Sequence, residues 1–131
     1  MSQENVEIVR RGYDAYARGD LAAMLSDVDP EMVTFREEPD GATYHGSEGL
    51  LRAIAEWVED FDEFTMAPEE LIDANDHQVI VRVHQTARGA QSGAPIEADF
   101  WFVHTVRDER VTRLDMLTSK AKALEVAGLG E

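Results

Sequence analysis

The sequence contains no cysteine, few basic residues and no long apolar run. Without cysteine there are no disulfides, thiolate metal sites or cysteine nucleophiles, which fits a reducing compartment. Twelve lysines and arginines stand against 27 aspartates and glutamates, so the formal net charge is -15. A negative surface repels both the phosphates of nucleic acids and anionic lipid headgroups. We therefore expect neither a nucleic acid nor a membrane as a partner.

The start and the length of the sequence set further bounds. The first residues lack the basic and apolar stretches of a secretory signal peptide, and no apolar run approaches the ~20 residues of a membrane-spanning helix. We therefore expect a cytoplasmic protein. A length of 131 residues is typical of one domain, so we predict a single domain over residues 1–131.

Helical periodicity dominates the first half of the sequence. Apolar residues recur at intervals of three and four between Val6 and Tyr16, which predicts a helix over residues 3–18. A second, shorter helix is predicted over residues 20–28, because an aspartate can cap its start and an Asp-Pro pair follows its end. The same spacing predicts a third helix over residues 47–60.

The second half of the sequence changes to the alternating pattern of strands. After a first short strand over residues 32–37 and a loop, three strands are predicted over residues 78–88, 96–106 and 111–118. Turn residues separate the last three, which indicates an antiparallel meander. A last short helix is predicted over residues 119–128. Because helices come first and strands follow, we predict an α+β domain.

The histidines and acidic residues form no recognisable metal motif. The acidic segment 56–63 lacks the glycine-containing pattern of a calcium loop, so we interpret it as a solvated face. His45 and His77 lie in predicted loops, whereas His84 and His104 are expected on opposite faces of neighbouring strands. Metal ligands must converge on one point. We predict no metal site and, without a phosphate-binding loop, no cofactor.

The strand predicted over residues 96–106 is apolar on both of its faces. Phe100, Phe102, His104 and Val106 form one face, and Asp99, Trp101, Val103 and Thr105 form the other. Antiparallel sheets with one wet face alternate apolar and polar residues, so we expect both faces to be covered. The predicted helices suffice for one face, and we expect the other to form a twofold homodimer. The residues expected in that interface are Arg82, His84, Trp101 and Val103. The alternative is a monomer with a partly exposed tryptophan.

Five strings of the sequence carry a family resemblance. They are "MSQENVEIVRRGYDAYARGDLAAML", "DPEMVTF", "YHGSEGL", "TVRDERVTRLDML" and "KALEVAGL". In this order and spacing they resemble the SnoaL-like branch of the nuclear transport factor 2-like superfamily. The resemblance covers essentially the whole sequence and implies a cystatin-like cone. In this α+β fold a curved, antiparallel-rich sheet wraps around the long first helix, encloses an apolar pocket and often dimerises through its outer face.

The resemblance leaves several functions open, because one fold supports many. It implies that the protein binds a small apolar molecule. One reading is a cofactor-independent acid–base enzyme of the isomerase, cyclase, hydrolase or dehydratase type, such as the ketosteroid isomerases and polyketide cyclases. The alternatives are a non-catalytic dimeric binding protein for a hydrophobic ligand and a protein-interaction module.

The polar residues of ketosteroid isomerase are only partly retained. The resemblance places Gly12 where that enzyme has a tyrosine, and Phe102 where it has an oxyanion-hole aspartic acid. The general-base aspartate falls on Glu37 when counted from one side and on Arg36 when counted from the other. The aspartate and histidine pattern of the polyketide cyclases has no secure match. These departures put both activities in doubt.

Three residues are candidates for acid–base chemistry in such a pocket. Glu37 shares a strand face with Phe35 and would act as a general base if that face looks inward, whereas a slip of one residue would place Arg36 inside. His104 would be an acid, a base or a hydrogen-bond donor, or else a core histidine bonded to a backbone carbonyl. Tyr16 would orient the ligand as a hydroxyl donor.

The rest of the expected pocket wall is aromatic and aliphatic, as in most small-molecule sites. It consists of Tyr13, Phe35, Trp57, Val81, Val83, Phe100, Phe102, Leu114 and Met116. Residues of this kind at these spacings are also what an ordinary hydrophobic core shows. The sequence pattern therefore does not separate pocket from core.

Overall fold

The computed structural model describes residues 2–129, which form four helices and one sheet of six strands. The helices are α1 (Ser2–Ala17), α2 (Leu21–Leu25), α3 (Gly46–Val58) and α4 (Lys120–Val126). The strands are β1 (Val28–Arg36), β2 (Ala42–His45), β3 (Phe61–Asp73), β4 (Gln78–Gly89), β5 (Pro95–Arg107) and β6 (Arg110–Leu117). No helix in this part of the chain is both long and apolar enough to span a membrane.

The strand order of the sheet is β2-β1-β6-β5-β4-β3. All neighbouring strands are antiparallel except β1 and β6, which run parallel. Helices α1 and α3 lie against the inner face of the sheet, where alternate residues of each strand meet them. The predicted α+β fold with an antiparallel-rich sheet is confirmed.

The buried stripe of α1 fixes that helix on the sheet. Val6, Val9 and Tyr13 are buried at helical spacing, and they pack against Val81 and Val83 of β4 in one continuous core. This core removes apolar surface from water at about 25 cal/mol per Å². The helical spacing seen in the sequence therefore marks the face of α1 that closes over the sheet.

The strand β3 was missed by the sequence analysis. Residues 59–63 are predicted from the sequence as a helix end and a solvated face, and no strand is predicted between residues 37 and 78. In the structure β3 is an edge strand whose polar residues face solvent while its backbone pairs with β4 along almost its whole length. The acidic pattern is thus compatible with a strand, because edge strands commonly carry charge.

Two smaller corrections concern the chain before α3. Val28 begins β1 and does not end the second helix, because its backbone pairs with Val111 of β6. Residues 42–45, predicted as loop, form β2 and pair with the end of β1. Val28 pairs with a strand that is distant in the sequence, and residues 42–45 pair with β1 across a turn. Hydrophobic periodicity within one segment does not predict such pairings.

The outer face of the sheet is partly covered by the chain itself. Helix α4 packs across β5, and its Ala123 lies in one apolar cluster with Ile80 and Val103. Val103 is 0% exposed, so its assignment to a subunit interface is wrong. Trp101 packs at the edge of this cluster, with the Lys120 ammonium 5.5 Å from its ring centroid. The last helix supplies a cover that the sequence analysis had assigned to a second subunit.

Beyond α4 the outer face is charged. His84 lies between two carboxylates, with Nδ1 2.6 Å from Asp99 Oδ1 and Nε2 2.9 Å from Glu97 Oε2. Arg82 also pairs with Asp99, at 3.2 Å. These carboxylates raise the pKa of the His84 imidazole. A dimer through this face stays a prediction, and of the residues named for it Arg82 and His84 lie in the part not covered by α4.

Candidate functional site

A cavity of about 110 Å³ lies between the inner face of the sheet and the helices α1 and α3. Most residues predicted for the pocket line it. These are Tyr13, Tyr16, Trp57, Phe100, Phe102, His104, Leu114 and Met116. Val81 and Val83 belong to the core beneath but do not line the cavity. Every segment from α1 to β6 except β2 contributes to the wall, so the site is a product of the whole fold.

The pairing of β1 with β6 decides which residues of β1 face the cavity. Arg36 is opposite Met116, which lines the cavity, whereas Phe35 is opposite Asp115 on the outer face. Phe35 packs against the cluster beneath α4, so its assignment to the pocket is wrong. Arg36 lies at the cavity instead, which is the alternative that the sequence analysis left open.

Glu37 holds the last helix in place and does not line the cavity. Its Oε1 accepts hydrogen bonds from the backbone N–H of Thr118 at 2.9 Å and from the Thr118 hydroxyl at 3.0 Å. Its other oxygen accepts from the Lys122 ammonium of α4. The hydrogen bond from Lys122, followed by those from Thr118, lowers the pKa of the Glu37 carboxyl. Glu37 therefore lacks the raised pKa and the position expected of a general base.

Tyr13 of α1 and His104 of β5 form a hydrogen-bonded pair at the cavity. The Tyr13 hydroxyl lies 2.8 Å from His104 Nε2, and the two rings meet edge to face at 5.4 Å. Burial lowers the pKa of His104 to about 3 and raises the pKa of the Tyr13 hydroxyl. Both groups are consequently neutral at neutral pH, because desolvation disfavours either charged form.

Tyr16, one turn further along α1, lies at the cavity wall, as expected, but its surroundings differ from those of Tyr13. It lines the cavity but is only half-buried, and the hydroxyl bonded to His104 is that of Tyr13. Burial also raises the pKa of Tyr16. The orienting role expected for Tyr16 therefore fits Tyr13 better, because the Tyr13 hydroxyl is buried and held by its hydrogen bond to His104.

Arg36 brings a cation to the opposite part of the cavity wall. The residue is 9% exposed, and Nη1 donates to the carbonyl of Ala53 in α3 at 2.6 Å. Its Nε donates to the carbonyl of Glu38 at 3.0 Å. The guanidinium also lies 5.9 Å from the centroid of the Trp57 ring. These contacts fix the orientation of a side chain that is flexible when exposed.

Gln85 is a polar residue of the wall that the sequence analysis did not single out. It is buried and lines the cavity, and its Oε1 accepts a hydrogen bond from Trp57 Nε1 at 3.0 Å. The signal was present in β4, where Gln85 continues the inward series formed by Val79, Val81 and Val83. A glutamine at the next inward position of an apolar strand face marks a polar point in the pocket.

Within residues 2–129 no group of three or more histidine, aspartate or glutamate side chains is arranged to hold a metal ion. Residues 9–114 match the model of the SnoaL-like domain. The chain belongs to the SnoaL-like domain family. The predicted family membership is confirmed, and no curated protein matches the sequence.

Solved structures resemble this SnoaL-like protein over nearly its whole length. A nuclear transport factor 2-like protein from Burkholderia thailandensis is 25% identical with a TM-score of 0.77, and the match covers 95% of each chain. A candidate SnoaL-like polyketide cyclase from a Jannaschia species is 18% identical with a TM-score of 0.76, covering 98% of this chain and 94% of that one. TerC, co-crystallised with polyporic acid, is 21% identical with a TM-score of 0.76, covering 95% and 98%.

Two buried polar points interrupt the largely apolar wall of the cavity in this SnoaL-like protein. Tyr13 and His104 form a neutral point that donates or accepts hydrogen bonds. Arg36 is the second point and carries a permanent positive charge, and Gln85 contacts the same Trp57 side chain. Groups of this kind are able to hydrogen-bond to the oxygen atoms of an organic molecule. It does not place a carboxylate with a raised pKa beside His104.

The His104 imidazole of this SnoaL-like protein is expected to stay neutral between pH of about 4 and 8, because burial lowers its pKa to about 3. In the unfolded chain the imidazole of His104 becomes protonated as the pH falls through about 6.5. The contribution of His104 to stability is therefore complete above pH 6.5 and is lost as the pH falls toward 3, at up to ~1.4 kcal/mol per pH unit.

Nitrogen-15 NMR of the imidazole measures the protonation of His104 directly. Urea unfolding at several pH values, compared with a double variant Tyr13→Phe, His104→Leu, isolates its contribution to stability. The double variant should lose stability less steeply on acidification than the wild type. A His104 resonance that titrates near pH 6.5 in the folded protein contradicts the assignment.

Glu37→Gln is expected to destabilise the protein at neutral pH without changing ligand binding in the cavity. The variant removes the ion pair with Lys122 of α4. Because the pKa of the Glu37 carboxyl is lowered in the folded state, Glu37 stabilises the wild type at neutral pH. This stabilisation disappears as the pH falls through that pKa, and the difference between the wild type and the variant disappears with it. Urea unfolding at neutral and acidic pH measures the difference.

Glu125→Gln is the matched control for Glu37→Gln. Glu125 is an exposed carboxylate of the same helix, so its replacement changes the net charge equally. The control should unfold at the wild-type urea concentration. Equal stability of Glu37→Gln and the control at neutral pH would show that Glu37 does not hold α4.

Proposed function

We propose that this SnoaL-like protein binds a small, largely apolar organic molecule in the cavity, and that Tyr13 and His104 hydrogen-bond to an oxygen atom of that molecule. The observation that carries the proposal is the 2.8 Å hydrogen bond between two neutral, buried polar side chains at the wall of an apolar cavity. Buried polar groups in such surroundings select a partner that replaces the hydrogen bonds of water.

The apolar wall supplies most of the proposed binding energy. Aromatic and aliphatic side chains from α1, α3 and the sheet surround the space, including Trp57, Phe100 and Phe102. Burying ligand surface against them contributes about 25 cal/mol per Å². A hydrocarbon framework alone would therefore bind, and the polar points would set its orientation.

The pair of Tyr13 and His104 has one hydrogen-bonding function to spare in either arrangement. If His104 Nε2 carries a proton and donates to Tyr13, the phenolic proton is free to donate to a carbonyl oxygen of the ligand. If Tyr13 donates to an unprotonated Nε2, the phenolic oxygen is free to accept from a ligand hydroxyl. Both arrangements are neutral, so the pair accommodates an oxygen without moving a charge into the cavity.

The relatives support a small-molecule site at the level of the fold. TerC was crystallised with polyporic acid, and the Jannaschia protein carries the name of a polyketide cyclase. Both share the fold with this chain at 18–21% identity. Analogy of this kind favours an organic ligand but does not name it.

The matched probes p-cresol and toluene test the proposal, because they differ by one hydroxyl. We expect both to bind in the cavity, and p-cresol to bind about threefold to tenfold tighter, since one hydrogen bond contributes ~0.5–1.5 kcal/mol. Titration of nitrogen-15-labelled protein by NMR gives both dissociation constants. The resonances of Trp57 and His104 should shift with the probes.

The double variant Tyr13→Phe, His104→Leu removes the hydrogen-bonding pair without leaving one partner unpaired. It should bind toluene as the wild type does and lose the preference for p-cresol. Tyr16→Phe is the control, because it deletes another hydroxyl of the same cavity wall. The proposal is contradicted if the cavity resonances of the wild type stay unchanged at saturating amounts of either probe.

A second candidate function is cofactor-independent acid–base catalysis on such a ligand. The observation that favours it is the Tyr13 hydroxyl, which His104 holds in one orientation. A preorganised hydroxyl donor in a water-poor site stabilises the oxygen of a forming enolate. The low pKa of His104 makes it a weak base, so this candidate stands behind binding alone.

β-Tetralone, an apolar ketone with acidic C–H bonds, distinguishes the two functions. If the protein is an acid–base enzyme, it should speed deuterium exchange from D2O into the ketone, as followed by proton NMR. Tyr13→Phe should then reduce the exchange rate by about tenfold or more. Binding of the ketone with exchange no faster than in buffer assigns the protein to binding alone.

A further inference from the structure

Arg36 is a buried cation whose charge the protein compensates incompletely. Its two hydrogen bonds go to the backbone carbonyls of Ala53 and Glu38, at 2.6 and 3.0 Å. Carbonyl oxygens satisfy donors but carry no net charge. A guanidinium has five N–H donors, and Arg36 lines the cavity. The residue therefore offers both charge and hydrogen bonds to a molecule in the cavity.

The nearest carboxylate, Glu56, lies on the far side of Arg36. Its Oε1 is 3.6 Å from Arg36 Nη2 and also accepts the Tyr44 hydroxyl at 2.6 Å. The Glu56 side chain is 45% exposed and is not part of the cavity wall. Ion pairs to exposed carboxylates are weak, because water screens them. Glu56 thus leaves much of the Arg36 charge available on the cavity side.

Two carboxylates lie at the cavity wall itself. Asp27 is paired with Arg11, 3.0 Å away on α1. Glu38 is exposed to solvent, and its backbone carbonyl, not its side chain, bonds to Arg36. Neither carboxylate forms an ion pair with Arg36 within 4.0 Å in the described part of the chain, and a partner cation or solvent screens each of them.

Gln85 adds a neutral polar group that contacts the same indole as Arg36. An indole N–H only donates, so the hydrogen bond from Trp57 fixes the oxygen of the Gln85 amide toward Trp57. The amide nitrogen of Gln85 is then directed away from the indole. Arg36 lies against the same indole, with its guanidinium 5.9 Å from the ring centroid. Both side chains therefore contact Trp57, and both line the cavity.

We propose that the ligand of this cavity is an apolar carboxylic acid, bound as its anion with the carboxylate on Arg36. The inference rests on the proposed function, because it concerns the ligand of the same site. A carboxylate accepts several hydrogen bonds and matches the planar fork of a guanidinium. The hydrocarbon part fills the apolar wall, and a neutral oxygen further along meets Tyr13 and His104.

The strand register separates the two polar points. Arg36 lies opposite Met116, and His104 lies opposite Leu114, so the residues are two strands and one inward position apart. Strand spacing and rise place their Cα atoms on the order of 12 Å apart. A molecule of one or two rings with oxygens at both ends spans such a gap.

The net charge of -15 does not exclude an anionic ligand. Charges beyond about 8–10 Å are largely screened at physiological salt, whereas contacts in the cavity are not. The overall charge slows the approach of anions, and the contact with Arg36 determines which ligand stays.

The probes p-toluate and p-toluamide test the inference, because they have the same shape and differ by one negative charge. We expect the wild type to bind p-toluate at least about tenfold tighter than p-toluamide at neutral pH, since hydrogen bonds to charged groups are the stronger ones. NMR titration gives both dissociation constants. This comparison uses the unaltered protein and does not depend on the folding of any variant.

Two variants assign the preference to its residues. Arg36→Met removes the charge and keeps an apolar stem. Gln85→Glu keeps the acceptor for Trp57 and adds a negative charge to the cavity wall. Each should lower the affinity for p-toluate to that for p-toluamide and leave p-toluamide binding within about twofold. Arg10→Gln, which removes an exposed cation of α1 outside the cavity wall, should keep the preference.

The outcomes separate this inference from the proposed function. Equal binding of the two probes by the wild type overturns the inference and leaves a neutral apolar ligand for the site. A preference that persists in both variants also overturns it, because the charge is then read elsewhere. Binding of neither probe, with toluene and p-cresol also unbound, overturns the inference together with the proposed function.

Discussion

The pairing of β1 with β6 is the constraint on which the site depends. Successive residues of a strand point to opposite faces of the sheet, so this register places Arg36 in the cavity and Phe35 on the outer face. A shift by one residue would exchange the two sides. The same register brings Glu37 within reach of Thr118 and Lys122, where it holds α4 instead of serving the cavity.

Desolvation determines the chemical state of the side chains at the cavity. It lowers the pKa of His104 and raises that of Tyr13, so their hydrogen bond joins two neutral groups. Arg36 keeps its charge because a guanidinium is not deprotonated in proteins, and backbone carbonyls satisfy two of its donors. The cavity thus has a neutral and a cationic point in one apolar wall.

The two faces of the sheet serve different purposes. The inner face and the helices α1 and α3 enclose the cavity, whereas α4 covers the apolar part of the outer face. The remaining outer surface around His84 is charged. Covering both sides of β5 explains why Phe102 and Val103, adjacent in sequence, are both buried.

The sequence by itself determined the α+β class, the long first helix, the three-strand meander and most of the aromatic wall, because each depends on periodicity within one segment. It did not reveal β3, whose charged edge pattern gains its meaning only from pairing with β4. It left Arg36 and Glu37 as alternatives for the cavity, and it favoured Tyr16 as the hydroxyl donor where the structure pairs Tyr13 with His104. Those choices depend on register and on contacts between distant segments, which only the tertiary structure fixes.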